Sequence, residues 1–368
     1  AFAIVSANLT SGTNLVNDCT TYDDPAGRIL EALQPDVVLI QEWVLKSGTT
    51  YRGFVDQYFG TNYSYYVEPE SDSYPMPNGI ISRWAITNSG QWADANTSGR
   101  DFAWARIDLP GLRNLNVVSV HIKATGSNAT EDAATRLDEA RALTNYIATA
   151  GWPADDYLAV GGDLNLTNRT EMTLRTLTNV VSDAHQPADQ NGDKETNSGR
   201  FRPYDFILPN GLLDARHVPV ACYGYVFTNG MVFDTRLTWA NGVPPPATAA
   251  DSAAYNMQHM AVLKVFEFES QINPPQAFAA VPAGASQIDL AFTTNASGSG
   301  VVVVWNGDGN FGTPSGTAPA VGAAFAGGTV LYKGGTSPQS HVGLTGCSTY
   351  YYKCWSYLGA NYSTGLTA

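Results

Sequence analysis

Tyr157-Leu158-Ala159-Val160-Gly161-Gly162-Asp163-Leu164-Asn165 is the stretch that decides the fold. Strand-forming residues run into two glycines and then into an acid and an amide, so a buried strand stops where polar chemistry starts. The pattern recurs. Phe2-Ala3-Ile4-Val5 leads to Asn8, Asp36-Val37-Val38-Leu39-Ile40 to Gln41-Glu42, and Asn116-Val117-Val118-Ser119-Val120 to His121. Further on, Tyr204-Asp205 and Gln258-His259 stand beside apolar runs of the same kind. A strand fixes the backbone of its last residue, so acidic, amide and imidazole groups on several strand ends can converge on one rim of a sheet. That layout suits a metal-assisted hydrolase, which must hold a cation and an anionic substrate together.

Helices are fewer. Pro25 to Leu33 reads as a short one, with Asp24 as its cap, Pro25 at the first helical position and Pro35 as its stop. Thr130 to Ala150 reads as a longer one that closes on Gly151, with Leu137, Ala140, Leu143 and Ile147 on one face.

Leu39-Ile40-Gln41-Glu42, Gly162-Asp163-Leu164-Asn165, Tyr204-Asp205-Phe206-Ile207-Leu208 and the His259 segment follow one another in a specific order. Over residues 1 to 268 this set resembles the endonuclease/exonuclease/phosphatase superfamily. This deoxyribonuclease I-like group also holds exonuclease III-type repair enzymes, neutral sphingomyelinases and inositol polyphosphate phosphatases. Pro77-Asn78-Gly79-Ile80-Ile81-Ser82-Arg83 is similar to the family's internal strand, and Arg100-Asp101 lies where many members carry an arginine facing the phosphate. The resemblance implies an α/β fold, a four-layer α/β/β/α sandwich of two mixed sheets.

The chemistry asks for these residue types. Attack of water on an already negative phosphorus needs charge neutralised, the water activated and the leaving oxygen supported. A hard cation such as Mg²⁺, with Mn²⁺ and Ca²⁺ as alternatives, prefers oxygen ligands. Glu42 is therefore the first-choice ligand, with Asn8 and Asp163 completing or flanking the shell. The resemblance implies His259 as general base or its close partner, with Asp205 fixing its tautomer. It also implies Asn165 orienting phosphate or water, His121 donating to a phosphoryl oxygen, and Arg100 and Tyr74 touching the phosphate. Asp or Asn at a strand end is often only a turn cap. The ordered set outweighs that reading, whereas His185, His217 and His341 lie outside the motifs and read as structural.

Two positions depart from the family pattern. Members usually carry Asp before the final histidine, where this chain has Gln258, and several place a carboxylate near Tyr74, where this chain has Pro75-Met76-Pro77. His121 must then find another partner.

The chain of 368 residues exceeds one usual core and divides, on sequence, into residues 1–270, a linker at 271–275 containing Pro274-Pro275, and residues 276–368. The last segment is rich in Gly, Ala, Thr and Ser and has short alternating runs, so it reads as a β-sandwich similar to the fibronectin type III-like modules of bacterial secreted hydrolases. A formal charge of −13 gives no long-range attraction to nucleic acid, although a local cation can reverse the potential at a site. Charged residues make up 14% of the chain, against roughly 25% on average, a composition common in exported proteins.

No run of eighteen apolar residues exists and no signal peptide is visible; an opening directly on the first strand is expected of a mature product. Asn8-Leu9-Thr10 and Asn165-Leu166-Thr167 match glycosylation acceptors on candidate site residues, which favours a bacterial source. The expectation is a secreted or periplasmic phosphodiesterase, first of nuclease type, with a lipid-headgroup or small phosphoester hydrolase as the alternative and no obligate protein partner evident. Of the four cysteines, Cys19 and Cys222 can bridge within the first domain. Cys347 and Cys354 pair only if the strand expected over Thr349 to Trp355 is broken.

Overall fold

The computed structural model describes every residue except 10–18, 46–47, 70–75, 111–112, 256 and 270–271, together with the side chains of 19–23. Two compact units result, Ala1–Glu269 and Ser270–Ala368.

The first unit opens with β1 (Phe2–Asn8), α1 (Cys19–Leu33), β2 (Val37–Gln41), α2 (Tyr51–Tyr58), β3 (Ser64–Val67), β4 (Gly79–Ser82) and β5 (Ile86–Trp92). It continues through β6 (Phe102–Ile107), β7 (Leu115–His121), α3 (Ala129–Thr149), β8 (Tyr157–Asp163), α4 (Met172–Leu177), β9 (Asp205–Pro209) and α5 (Gly211–Asp214). Short strands β10 (His217–Val218), β11 (Val220–Cys222), β12 (Tyr225–Phe227) and β13 (Met231–Phe233) precede β14 (Ala261–Phe266). Two mixed sheets form, one in the order β10-β14-β1-β2-β4-β3 with β13 also on β14, the other β5-β6-β7-β8-β9. Each holds one parallel pair, β1 with β2 and β7 with β8.

Burial on both faces explains why the strands read as unbroken apolar runs. Ile4, Leu39 and Ile80 of the first sheet share one buried cluster with Ala105, Val117, Ala159 and Ile207 of the second. On its other face the first sheet packs Val5, Val38 and Ile40 against Ala26, Ile29, Leu30, Phe54 and Val55 of α1 and α2. The second sheet packs Val118, Val120 and Val160 against Ala140, Leu143, Leu174 and Leu177 of α3 and α4. Each Val, Leu, Ile or Phe among them contributes about 1.5–3 kcal/mol when fully buried.

The glycine pair of the opening motif is required by this packing. A Cβ on Gly161 would lie 2.6 Å from Leu39 Cδ1 across the shared core, and one on Gly162, at φ +142°, would lie 1.9 Å from the Val120 carbonyl oxygen. Larger residues there would force β8 away from both neighbours.

The helices depart from expectation in detail. α1 starts at Cys19 rather than Pro25 and takes Pro25 into its interior. A proline there costs about 3 kcal/mol, which the burial of Ala26, Ile29, Leu30 and Leu33 offsets. Asp24, expected as the cap, lies inside the helix and accepts the Tyr58 hydroxyl at 3.1 Å. α3 runs from Ala129 to Thr149 and is capped by Asn128, whose side chain accepts from the Glu131 N–H. Its inner face is only partly apolar, since Arg136 and Glu139 are also buried there. Arg136 forks onto Glu171 at 3.0 and 3.1 Å. The last strand of the unit, β14, ends at Phe266.

The second unit is all β. Ala277–Gly284, Gln287–Thr293 and Gln339–Val342 form one sheet. Gly300–Asn306, Ala324–Phe325, Gly328–Gly334, Tyr351–Leu358, Asn361–Tyr362 and Leu366–Thr367 form the other. Leu290 and Phe292 of the first meet Val301, Val303, Tyr352 and Cys354 of the second in a buried cluster. Cys347 precedes the last long strand, and Cys222, Cys347 and Cys354 are free thiols; the side chain of Cys19 lies outside the described residues. Among the described residues no helix is long and apolar enough to cross a membrane.

Candidate active site

Parallel pairing sets the rim. In the first sheet Asn8 lies opposite Gln41, so Glu42 emerges one residue beyond the end of β2. In the second sheet His121 lies opposite Asp163, and Asp163 opposite Asp205. A residue two positions before β14 completes the set: His259 bridges to Asn197, whose loop leads on to β9. A tie joins the sheets behind them, where the Gln41 amide donates to Ser119 Oγ at 2.9 Å and Ser119 Oγ donates to the Ile40 carbonyl at 2.8 Å.

The seven groups on strand ends and turns, Asn8, Glu42, His121, Asp163, Asn165, Asp205 and His259, are all buried. Asn8 Nδ2 donates to Glu42 Oε1 at 3.1 Å and to Asp163 Oδ2 at 3.0 Å, so it stands between the carboxylates as a donor. His121 Nε2 approaches Asp163 Oδ2 at 3.4 Å and Glu42 Oε1 at 3.7 Å. His259 Nε2 lies 3.6 Å from Asp163 Oδ2, and its Nδ1 is hydrogen-bonded to Asp205 Oδ2 at 3.1 Å. Asn165 donates through its N–H to Asp163 Oδ1 at 2.8 Å and through Nδ2 to the Ile122 carbonyl at 3.0 Å. Glu42 (φ +51°) and Asn165 (φ +48°) both adopt the left-handed region, a strained conformation that costs about 1–3 kcal/mol and collects at functional sites.

Ligand atoms of Glu42, Asp163 and His259 lie within 4.8 Å of one another, the spacing of a cation's inner shell. The two carboxylates suit a hard divalent ion, which prefers oxygen ligands, and His259 Nε2, with Nδ1 engaged by Asp205, stands beside that pair. Charge points the same way. Three buried carboxyl groups crowd one imidazole, and burial with the neighbouring acids pushes Asp163 up to about 7, so a dication would favour its ionised form.

The two histidines are driven apart by their surroundings. Burial works against a charge on His259, but Asp205, Asp163, the hydrogen bond to Asp205 and then Glu42 outweigh it and push the pKa up to about 9. Burial, followed by the charges of Arg100 and His259, holds His121 well below the usual histidine range, so it is neutral at pH 7. Burial is also the main cause that raises Asp163, with Asp205 and Glu42 adding to it and His259 and the Asn165 N–H opposing.

Of the remaining candidates, Arg100 is half-buried and within electrostatic reach of His121, and Tyr74 lies outside the described residues. Asp101 does not pair with Arg100: its carboxylate accepts from Gln91 Nε2 at 2.8 Å and from the Asp94 N–H at 2.9 Å. Gln258 is exposed, and its carbonyl accepts the Ser198 N–H at 2.7 Å. His185 and His217 stack on each other at 4.4 Å, and His341 bonds to the Tyr352 hydroxyl.

The sequence reading missed the supports. Thr196 Oγ1 accepts the N–H groups of Tyr204 and Asp205 at 2.9 and 2.8 Å, and Asn197 Oδ1 accepts those of Phe201 and Arg202 at 2.8 and 2.9 Å. A Thr-Asn pair ahead of Ser-Gly is the kind of turn signal that can reveal such a brace. Glu68, immediately after β3, was also passed over, although an acid between a strand and Pro69 is a visible break in pattern.

The chain is similar in part to known proteins. Sphingomyelinase C of Bacillus cereus is 28% identical over 106 residues, covering 26% of this chain and 32% of that protein, so the match spans about a third of the relative. A truncated TDP2 of Caenorhabditis elegans is 14% identical and superposes with a TM-score of 0.50, over 72% of this chain and 97% of that one. An endonuclease/exonuclease/phosphatase from Beutenbergia cavernae, 14% identical with a TM-score of 0.48, covers 100% of this chain and 99% of its own. The sequence profile of the Endonuclease/Exonuclease/phosphatase family matches residues 17–224, more than half the length, and the chain therefore belongs to that family of hydrolases acting on phosphoesters.

Proposed function

We propose that the chain is a Mg²⁺-dependent phosphodiesterase. The observation that carries this reading is the convergence of Glu42, Asp163 and His259 within 4.8 Å, with Asp205 behind His259. A divalent cation held by Glu42 and Asp163, with Asn8 at their side, supplies charge neutralisation at the phosphoryl and leaving oxygens. Asp205 holds the Nδ1–H of His259 and leaves Nε2 facing the site, where it takes the proton of the attacking water. Neutral His121 donates to a phosphoryl oxygen from the facing strand end. Asn165, braced on Ile122, orients the phosphate or the water. Arg100 adds positive charge to the phosphate subsite, and Tyr74 is assigned to the same subsite from its place in the motif order.

Two substrate classes are in play. Nuclease type is the first expectation from sequence; the charge of −13 counts against long-range attraction to nucleic acid, and the partial match to sphingomyelinase C favours a phosphodiester of a lipid headgroup. A panel of DNA, RNA, sphingomyelin, bis-p-nitrophenyl phosphate and p-nitrophenyl phosphate separates them. Excess EDTA is expected to lower diester hydrolysis by at least about 10², and Mg²⁺ to restore it and raise the Tm. Full activity after extensive dialysis against EDTA would sink the reading.

The proposal also covers a four-layer α/β/β/α arrangement, supported by the helix-lined outer cores of both sheets, and a fibronectin type III-like identity for residues 276–368. The low charged fraction supports export from a bacterial cell. Glu269 closes its own unit by binding Arg113 and Arg216. A chain truncated after Glu269 is accordingly expected to fold and keep most of its activity on a small soluble diester. An insoluble product would show instead that the two units share a core.

A further inference from the structure

The backbone on both sides of Arg100 is held, and the buried Glu68 carboxyl group ties one side both directly and through Asn78. Glu68 Oε1 accepts the Asn78 N–H at 2.8 Å, and Glu68 Oε2 accepts the Asp101 N–H at 3.0 Å. Asn78 then ties itself to the same turn, its Nδ2 donating to the Asp101 carbonyl at 2.6 Å. On the other flank of Arg100, the Met76 N–H donates to the Gly99 carbonyl at 2.9 Å. The strip 76–78 is anchored in turn beside Glu42, because the Trp43 N–H donates to the Pro77 carbonyl at 2.9 Å.

What this clamp leaves open is informative. The Asp101 carboxylate is bonded to Gln91 and to the Asp94 N–H and makes no hydrogen bond or ion pair with Arg100 among the described residues. Arg100 Nε and Nη1, and His121 Nδ1, are buried atoms with no hydrogen-bond partner among the described residues. Leaving such a donor unmet costs about 1–3 kcal/mol, more when it is charged, and the arrangement is explained if a bound anion supplies the partner. Burial pushes the Glu68 carboxyl up to about 8, against the pull of the Asn78 and Asp101 N–H groups and of the Arg100 charge, and the same Arg100 charge adds to burial in lowering His121, so Arg100 stands near both. An arginine on a free loop would lose rotamer and backbone freedom on meeting the anion, and a pinned backbone removes part of that cost.

We propose that Glu68 is a positioning residue: its buried carboxylate locks the turn Gly99–Asp101 so that the Arg100 guanidinium faces the substrate phosphate. The inference rests on the phosphodiesterase reading above. Glu68 itself touches no substrate and acts only through Arg100.

The test is a double-mutant cycle over Glu68→Ala and Arg100→Ala, read as kcat and KM on bis-p-nitrophenyl phosphate and as affinity for inorganic phosphate by calorimetry, with Mg²⁺ present. Each single variant is expected to weaken phosphate binding and raise KM by about tenfold, and the double variant to lose no more than Arg100→Ala alone. Losses that multiply, or a Glu68→Ala protein that binds phosphate as tightly as the wild type, overturn the proposal. A merely structural role would lower the Tm equally in both Arg100 backgrounds while leaving phosphate affinity unchanged. If Glu68→Ala does not fold, Glu68→Gln takes its place in the same cycle, since it keeps the shape and one acceptor but turns an N–H donor toward a backbone N–H. If the wild type hydrolyses no diester, the proposed function fails, while the phosphate-binding cycle still decides the role of Glu68.

Discussion

Glu42→Gln is expected to lower kcat/KM by about 10³, equivalent to about 4 kcal/mol of transition-state stabilisation. The side chain keeps its length and can still accept from Asn8 Nδ2, so the 3.1 Å bond between them is retained in kind. What disappears is one negative charge from the group that brings Glu42, Asp163 and His259 within 4.8 Å. In chelator the variant is expected to be at least as stable as the wild type, because fewer like charges crowd one buried site. In Mg²⁺ the wild type is expected to gain Tm and the variant to gain little. Parallel Tm gains in both proteins, or a kcat/KM within threefold of wild type, would move the cation elsewhere.

His259→Ala is expected to cost about 10²–10⁴ in kcat, the range of a lost general base. The pH behaviour gives the sharper test. With its pKa raised from 6.5 to about 9 in the folded chain, the imidazolium adds stability that is complete below the unfolded value and is lost as pH climbs through about 9. The metal-free wild type should therefore lose stability across that window, and His259→Ala should show no such slope. The same charge opposes a cation bound by Glu42 and Asp163. Apparent Mg²⁺ affinity should tighten as pH rises toward 9, and the bound cation, by neutralising two of the groups that raise His259, should move the acidic limb of the kcat/KM profile below 9. A Mg²⁺ affinity indifferent to pH in the wild type would separate His259 from the metal site.

The site was legible to the degree that its members sit on strand ends. Asn8, Glu42, His121 and Asp163 each follow an apolar run that stops abruptly, and the physical cause is simple: a buried strand cannot carry a carboxylate or amide inward unless something there needs it. Asp205 and His259 stand beside apolar runs too, but their roles were legible only through the order of motifs. Glu68 and Thr196 were not, because each works by accepting backbone N–H groups from segments distant in sequence, and hydrogen-bond partners of that kind leave no periodicity. The start of α1 was misjudged for a related reason. Local rules place Pro25 at a helix start, whereas packing of Ala26, Ile29, Leu30 and Leu33 offsets the loss of one backbone bond and lets the helix begin at Cys19.

By itself the sequence determined that β1, β2, β7 and β8 are buried on both faces and which polar side chain stands at the end of each, because branching, hydrophobicity and charge act over a few residues. Only the tertiary structure decided that β1 and β2 belong to one sheet and β7, β8 and β9 to another. That partition places Glu42 and Asp163 on facing rims with Asn8 donating to both. It also decided that His259 is drawn toward its charged form and His121 held neutral. Both outcomes depend on burial and on charges far apart in the chain, and desolvation and Coulomb interactions follow distance in space, not position in sequence.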